Sequence, residues 1–320
     1  MKIKHSNKPS RSRRDIAKQA TEPSVQRILA TTDFSIESHA GLRCAMALAE
    51  QLKAAVNLLH VVEVPSRMSG MEAVFLARKD SDVLAVARKE LGILAERECK
   101  GIVTVTCSVH SGKPVHEITA AAEGDAADLI VIATHGHTGA EPILLGSTAE
   151  RVVRHAPCPV LTVPTCNVPT RTAKSPPFRL KTLLVPIDFS NTSIGALEWA
   201  KFLASHFGAK LILLHVAERF PIDYLLGRDL MNQTIVPLMK QAKVELERMA
   251  ESVRKSTGLE TSVVIRDGAP FEEICQAAKS VSADMIVLTT HGYTGLKHVW
   301  LGSTAERVVR HANCLVLTVR

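Results

Sequence analysis

The twelve-residue string LGSTAERVVRHA occurs at 145–156 and again, unchanged, at 301–312. A repeat of this length fixes the organisation of the chain before any local propensity is weighed. The correspondence spreads outward. ILATTDFS (28–35) aligns with LLVPIDFS (183–190), NLLHVVE (57–63) with ILLHVAE (212–218), and SGKPVHEI (111–118) with DGAPFEEI (267–274). ADLIVIATHGHTG (127–139) aligns with ADMIVLTTHGYTG (283–295). The offset is 155 residues between Asp33 and Asp188 and 156 between Gly136 and Gly292, so one residue was gained inside the unit. With 320 residues there is length for two cores. The expected organisation is a tail at 1–24, a first domain at 25–164, a Pro- and Thr-rich linker at 165–180 and a second domain at 181–320.

Within each copy, short β-branched apolar runs alternate with longer amphipathic stretches. In the first copy the pattern predicts strands near 26–31, 56–62, 102–108, 128–133 and 159–163, and helices near 36–53, 82–99, 114–123 and 147–155. Near-continuous apolar strands separated by helices imply a parallel sheet covered on both faces. The fold class is therefore α/β, doubly wound, in tandem. Ligands of such sheets bind beyond the carboxyl ends of the strands, where strand order reverses.

Composition excludes several classes. The apolar runs are short and interrupted, well below a membrane span, which predicts a soluble chain. Seven cysteines form no CxxC pair, so neither a disulfide framework nor a zinc site is indicated and a reducing cytoplasm fits. The net charge of +7 is concentrated at the start: residues 1–24 hold seven Lys/Arg against Asp15 and Glu22. That arm is polar and lacks aromatic residues among its charges, which predicts a solvated, disordered tail rather than a nucleic-acid-binding segment. It also lacks the apolar stretch of a secretory signal.

The strand-end loops carry the chemistry. After the first strand of each copy stand Asp33 and Asp188, each followed by Phe and Ser. Ser35 and Ser190 are natural N-caps; the aspartates could accept from an amino group or simply keep the loop polar. After the fourth strand come THGHTG (134–139) and THGYTG (290–295), then the repeated segment opening a helix with Gly-Ser. Glycines permit close backbone approach, and a helix N-terminus offers free N–H groups suited to phosphate. Alternatively, Ser147 with Glu150 and Ser303 with Glu306 form capping boxes. His135 and His291 are read as structural or ligand-lining, since no carboxylate or cysteine cluster accompanies them. Gly112 and Gly268, two residues before a proline, are expected to make a tight turn. No Walker loop, GxGxxG or HExxH occurs.

Taken together, Asp after the first strand, THGxTG after the fourth and LLGSTAERVVRHAPCPVLTV (144–163) resemble the universal stress protein family, here as a tandem. The resemblance covers the chain from about residue 25 to 320. It implies an adenine nucleotide alpha hydrolase-like fold with strand order 3-2-1-4-5, and ATP or AMP as ligand, with or without Mg2+. The family's nucleotide-binding pattern is Gly, two residues, Gly, nine residues, then Gly-Ser or Gly-Thr. Gly136, Gly146 and Ser147 match its later positions in one copy, and Gly292, Gly302 and Ser303 in the other; its first glycine is here Ala133 and Thr289. Carried over residue by residue, the resemblance assigns Asp33 and Asp188 to adenine, flanked by Thr31, Thr32, Pro186 and Ile187. Val61 and Val216 become the adenine wall, and Thr148 and Thr304 join the glycines and serines around ribose and phosphates. Ala133, His135, Thr289 and His291 complete the expected lining. The family's last strands pair across a dimer interface, so PVLTV (159–163) and LVLTV (315–319) are expected to pair the two domains, with further homodimerisation open.

Three functions remain in view: a non-enzymatic adenine nucleotide sensor, a slow ATP hydrolase, and a nucleotide-free interaction module. The first is expected. A hydrolase needs a base or water-positioning group, for which His135, His291 or the aspartates are the candidates.

Overall fold

Each apolar run of the repeat becomes a strand, and each amphipathic stretch a helix laid against it. The computed structural model describes residues 23–63, 71–99, 103–134, 146–164, 178–218, 227–290 and 302–320. The first copy runs β1 (Arg27–Thr32), α1 (Ile36–Leu52), β2 (Ala55–Glu63), α2 (Met71–Glu98), β3 (Val105–Gly112), α3 (Pro114–Gly124), β4 (Leu129–Ala133), α4 (Ser147–His155) and β5 (Val160–Val163). The second repeats it as β6 (Thr182–Pro186), α5 (Asn191–Phe207), β7 (Lys210–Glu218), α6 (Gly227–Thr257), β8 (Thr261–Gly268), α7 (Pro270–Ser280), β9 (Met285–Thr289), α8 (Ser303–His311) and β10 (Leu315–Val319). The basic tail and most of the linker fall outside the described residues.

The strands form one ten-stranded sheet in the order β3-β2-β1-β4-β5-β10-β9-β6-β7-β8. Each half thus has the order 3-2-1-4-5, and all pairings within a half are parallel. The halves meet where β5 and β10 pair antiparallel, with Leu161 opposite Leu317. Thr162 and Thr318 donate their hydroxyls across this seam to the Val316 and Val160 carbonyls at 3.2 and 3.1 Å. An apolar strand edge that would otherwise be exposed is consumed in each half.

One face of the sheet packs against α1, α2, α5 and α6, the other against α3, α4, α7 and α8. Both apolar layers run through the seam. Fully burying a Leu or Val contributes roughly 1.5–3 kcal/mol, and β1 and β4 are buried along almost their whole length, which explains why these strands read as continuous apolar runs.

Two departures from the predicted boundaries have physical causes. The helix expected at 82–99 begins at Met71: the Asp80-Ser81-Asp82 cluster looks like a helix start, but nothing from 71 onward breaks the helix, so the cluster lies within it. The strand expected at 102–108 is Val105–Gly112, because the pairing of β2 with β3 continues to Glu63 opposite Gly112. The two glycines behave as expected: Gly112 has φ +155° and Gly268 φ +148°, values that side chains rarely tolerate. Asp128 and Asp284, just before β4 and β9, each accept two backbone N–H bonds at 2.7–2.9 Å from the residues that start β1 and β6. These aspartates align the central strand pair.

Candidate functional site

The loop after β1 is strained in both copies. Phe34 and Phe189 sit in the left-handed region at φ 65° and 61°, a conformation that disfavours a bulky residue by roughly 1–2 kcal/mol. The neighbouring aspartate offsets this. Asp33 Oδ1 accepts from the Ser35 N–H at 3.0 Å and the Ser35 hydroxyl at 2.5 Å, and Asp188 is bonded by Ser190 with the same two distances. Ser35 and Ser190 also cap α1 and α5 through the N–H groups of Ser38 and Ser193, as the sequence predicted. Each aspartate is thereby held at the mouth of the sheet.

The start of α4 and α8 does not follow the capping-box alternative. Gly146 and Gly302 are the N-caps, with no side-chain cap bond, and Ser147 and Ser303 are the first helical residues. No capping box forms. Glu150 and Glu306 turn instead toward Arg154 and Arg310, each at 3.1 Å within its own helix and at 3.4–3.6 Å across the seam. Ser147 and Ser303 thus stand at the first helical position rather than at the cap, the place from which a side chain bonds the first-turn N–H groups.

The N-cap glycines have a packing role as well. Gly146 and Gly302 donate their N–H groups to the Thr134 and Thr290 carbonyls at 2.7 Å, drawing together the two ends of the loop that follows the fourth strand. A Cβ at Gly302 would lie 3.1 Å from the Thr290 oxygen. This close approach favours glycine independently of any ligand, since a side chain here would press on the carbonyl.

Around these parts each half has a cavity. In the first, of about 290 Å3, Thr31, Thr32, Asp33, Val61, Ala133, Gly146, Ser147 and Thr148 all contribute to the wall. In the second, of about 260 Å3, the wall includes Pro186, Ile187, Asp188, Val216, Thr289, Gly302, Ser303 and Thr304. Every residue proposed from sequence that falls among the described residues is thus brought to one of two equivalent cavities at the carboxyl ends of the strands. His135, Gly136, His291 and Gly292 lie outside the described residues. Unforeseen contributors are Pro114 and Ile118 of α3, Pro270 and Ile274 of α7, and Glu63 at the end of β2. The prolines follow the glycine turns, so their place beside the cavity was readable; the isoleucines look like ordinary core residues.

The two cavities differ in chemistry. Thr32 donates or accepts with Ser38 at 2.9 Å and accepts from the Phe34 N–H at 3.0 Å, whereas Ile187 offers no polar group at that position. At the close approach between β4 and α1, a Cβ on Gly41 would lie 3.4 Å from the Ala133 nitrogen; the aligned pair is Ala196 and Thr289, so the second half is bulkier on both sides. Behind the first loop, burial lowers the pKa of His39, the nearby Arg97 guanidinium lowers it further, and Glu98 opposes both.

A larger depression of about 920 Å3 follows α6 alone, lined by residues such as Lys243, Glu247 and Arg254. Among the described residues it gathers no strand ends or helix N-termini. Among the described residues there is no group of three or more His, Cys, Asp or Glu able to hold a metal, and no helix long and apolar enough to cross a membrane.

The universal stress protein family profile matches residues 24–164 and 179–320. The chain is similar to a universal stress protein of Methanocaldococcus jannaschii, 31% identical over 140 residues that span 44% of this chain and 82% of that one. It is also similar to one of Thermus aquaticus, 36% identical over 142 residues that span 44% of this chain and 98% of the relative. Among solved structures, a universal stress protein from Archaeoglobus fulgidus shares the fold, with TM-score 0.64 and 23% identity over 93% of this chain and 97% of that one. With two profile matches that together take in both copies of the repeat, this chain belongs to the universal stress protein family.

Proposed function

We propose that this protein is a non-enzymatic adenine nucleotide sensor with one site in each half. The observation that carries the reading is the convergence, in both cavities, of a loop-held aspartate with the glycine-capped N-terminus of a nine-residue helix. The aspartate is suited to an exocyclic amino group. The apolar floor, Leu59 and Val61 or Leu214 and Val216, suits a flat base, and the helix N-terminus suits an anion. Cavities of about 260–290 Å3 fall just below the usual range of ligand pockets, with room for a base and sugar and the phosphates directed along the helix start. Any Mg2+ would be carried by the phosphates together with water, since the described side chains supply no cage of their own.

In this reading the described residues give the γ-phosphate no activated nucleophile or paired base, so ATP or AMP acts as an effector that stabilises one conformation. The β5–β10 pairing makes the chain a pseudo-dimer, and a cytoplasmic location follows from the same proposal. The test is acid extraction of the purified protein followed by chromatography, with calorimetric titration of ATP and AMP. Recovered adenine nucleotide or a titration with up to two sites per chain supports the sensor; none in either assay leaves a nucleotide-free interaction module. Multiple-turnover phosphate release abolished by Asp33→Ala with Asp188→Ala would replace the sensor with a hydrolase.

A further inference from the structure

We propose that His60 and His215 are positioning residues for the two nucleotide sites, holding the aspartate loops from the sheet face opposite the cavities. The inference rests on the nucleotide reading above and adds to it the part of each site that touches no ligand.

Side chains alternate along a strand. Leu59 and Val61 line the first cavity, so His60 between them points to the other face, where Leu58 packs in the layer beneath α1 and α2. There His60 Nδ1 lies 2.8 Å from the Thr32 carbonyl oxygen, and its ring packs on Phe34 with centroids 4.3 Å apart. The second copy repeats this: His215 Nδ1 lies 2.7 Å from the Ile187 oxygen, and its ring is 4.8 Å from Phe189. A carbonyl oxygen only accepts, so Nδ1 carries the proton in both. Each histidine therefore grips the loop twice, by its last carbonyl before the aspartate and by the strained phenylalanine after it.

The difference between the copies shows that one contact is dispensable. Thr32 supplies a hydroxyl to the Phe34 N–H in the first loop; Ile187 has none. Phe189 nevertheless has nearly the φ of Phe34. The contacts common to both loops include the aspartate–serine bonds, the serine caps of α1 and α5, and the histidine grip. A loop whose backbone is held from behind presents its carboxylate at a fixed point, which reduces the ordering that ligand binding must supply.

The test uses the intact chain with both histidines changed together. His60→Phe with His215→Phe keeps the aromatic contact and removes the donor. His60→Asn with His215→Asn keeps an N–H near the place of Nδ1 and removes the ring. Two quantities are read: amide exchange at Ser35 and Ser190, whose N–H groups bond the aspartates, with Val131 and Val287 as core controls, and ATP affinity by calorimetry. In the Phe variant, exchange at the two serines should rise and ATP affinity fall, each by about five- to tenfold. The Asn variant should recover most of both, and the core amides should stay unchanged.

Unchanged serine exchange in the Phe variant overturns the positioning role whatever ATP does, and so does faster exchange with native affinity. Loss of the core controls together with the serines assigns the histidines to general stability and overturns it too. Absence of ATP binding by the native chain defeats the nucleotide reading itself, and this inference with it; native binding that survives the Phe change defeats the inference alone.

Discussion

Shortening Leu161 and Leu317 to alanine tests whether the two halves of the chain share a core. The two leucines are register partners in the antiparallel β5–β10 pair. Each is only 1% exposed, and both lie in the layer that includes α1 and α5. A Leu→Ala change in a closed core costs about 2–5 kcal/mol, so about 3 kcal/mol is expected for each single variant. Independent sites would give about 6 kcal/mol for the double. Directly opposed Cβ atoms lie about 5 Å apart, so the two cavities would merge and the second deletion would remove contacts already weakened by the first. The double variant should therefore fall short of the sum by about 1 kcal/mol. Urea unfolding of the four proteins, followed by circular dichroism with the slope checked for constancy, measures this cycle. Singles that each lose less than about 1 kcal/mol, or a double additive within about 0.3 kcal/mol, would refute a core continuous through the seam.

Alkaline stability follows from the buried thiols. Burial raises Cys44 and Cys158 from 9.0 to about 12, and Cys99 and Cys275 from 9.0 to about 11. Because the folded pKa exceeds the unfolded one, the contribution is complete below pH 9.0 and is lost as pH climbs toward the folded values, where the unfolded chain is already ionised. Urea midpoints should fall progressively above that pH, and less steeply in Cys44→Val; equal slopes for both proteins would contradict the assignment. The four charged side chains at the seam are 24–32% exposed. Glu150→Gln with Glu306→Gln should therefore lose only about 1 kcal/mol at low salt and less at 1 M salt, and a salt-independent difference between urea midpoints would argue against the network. Gly302→Ala should weaken ATP binding in the second half alone, since its Cβ would press on the Thr290 carbonyl at 3.1 Å; loss of both calorimetric sites would refute a local effect.

The repeat made the fold legible. Two copies of alternating apolar and amphipathic segments left few arrangements of the strands, and the aspartates and glycines sat where a parallel sheet exposes its strand ends. What stayed hidden required three dimensions. Ser147 and Glu150 have the spacing of a capping box, but Gly146 takes the cap and Arg154 and Arg310 take the carboxylate, a competition involving a residue from the other half of the chain. His60 and His215 read as polar interruptions of apolar strands; only strand pairing brings each beside the carbonyl of Thr32, the last residue of β1, or of Ile187, just past the end of β6. The helix expected from about residue 82 begins at Met71, because local signals alone do not say whether a preceding turn is already helical.

Whether the two cavities hold adenine nucleotide is decided by calorimetric titration of the nucleotide-stripped intact chain with ATP. Saturable binding is expected, with one site lost in Ser147→Trp, the other in Ser303→Trp, and both in the double variant, because each serine stands in the wall of its own cavity. No heat of binding in the native chain, or binding that survives the double variant undiminished, would contradict it.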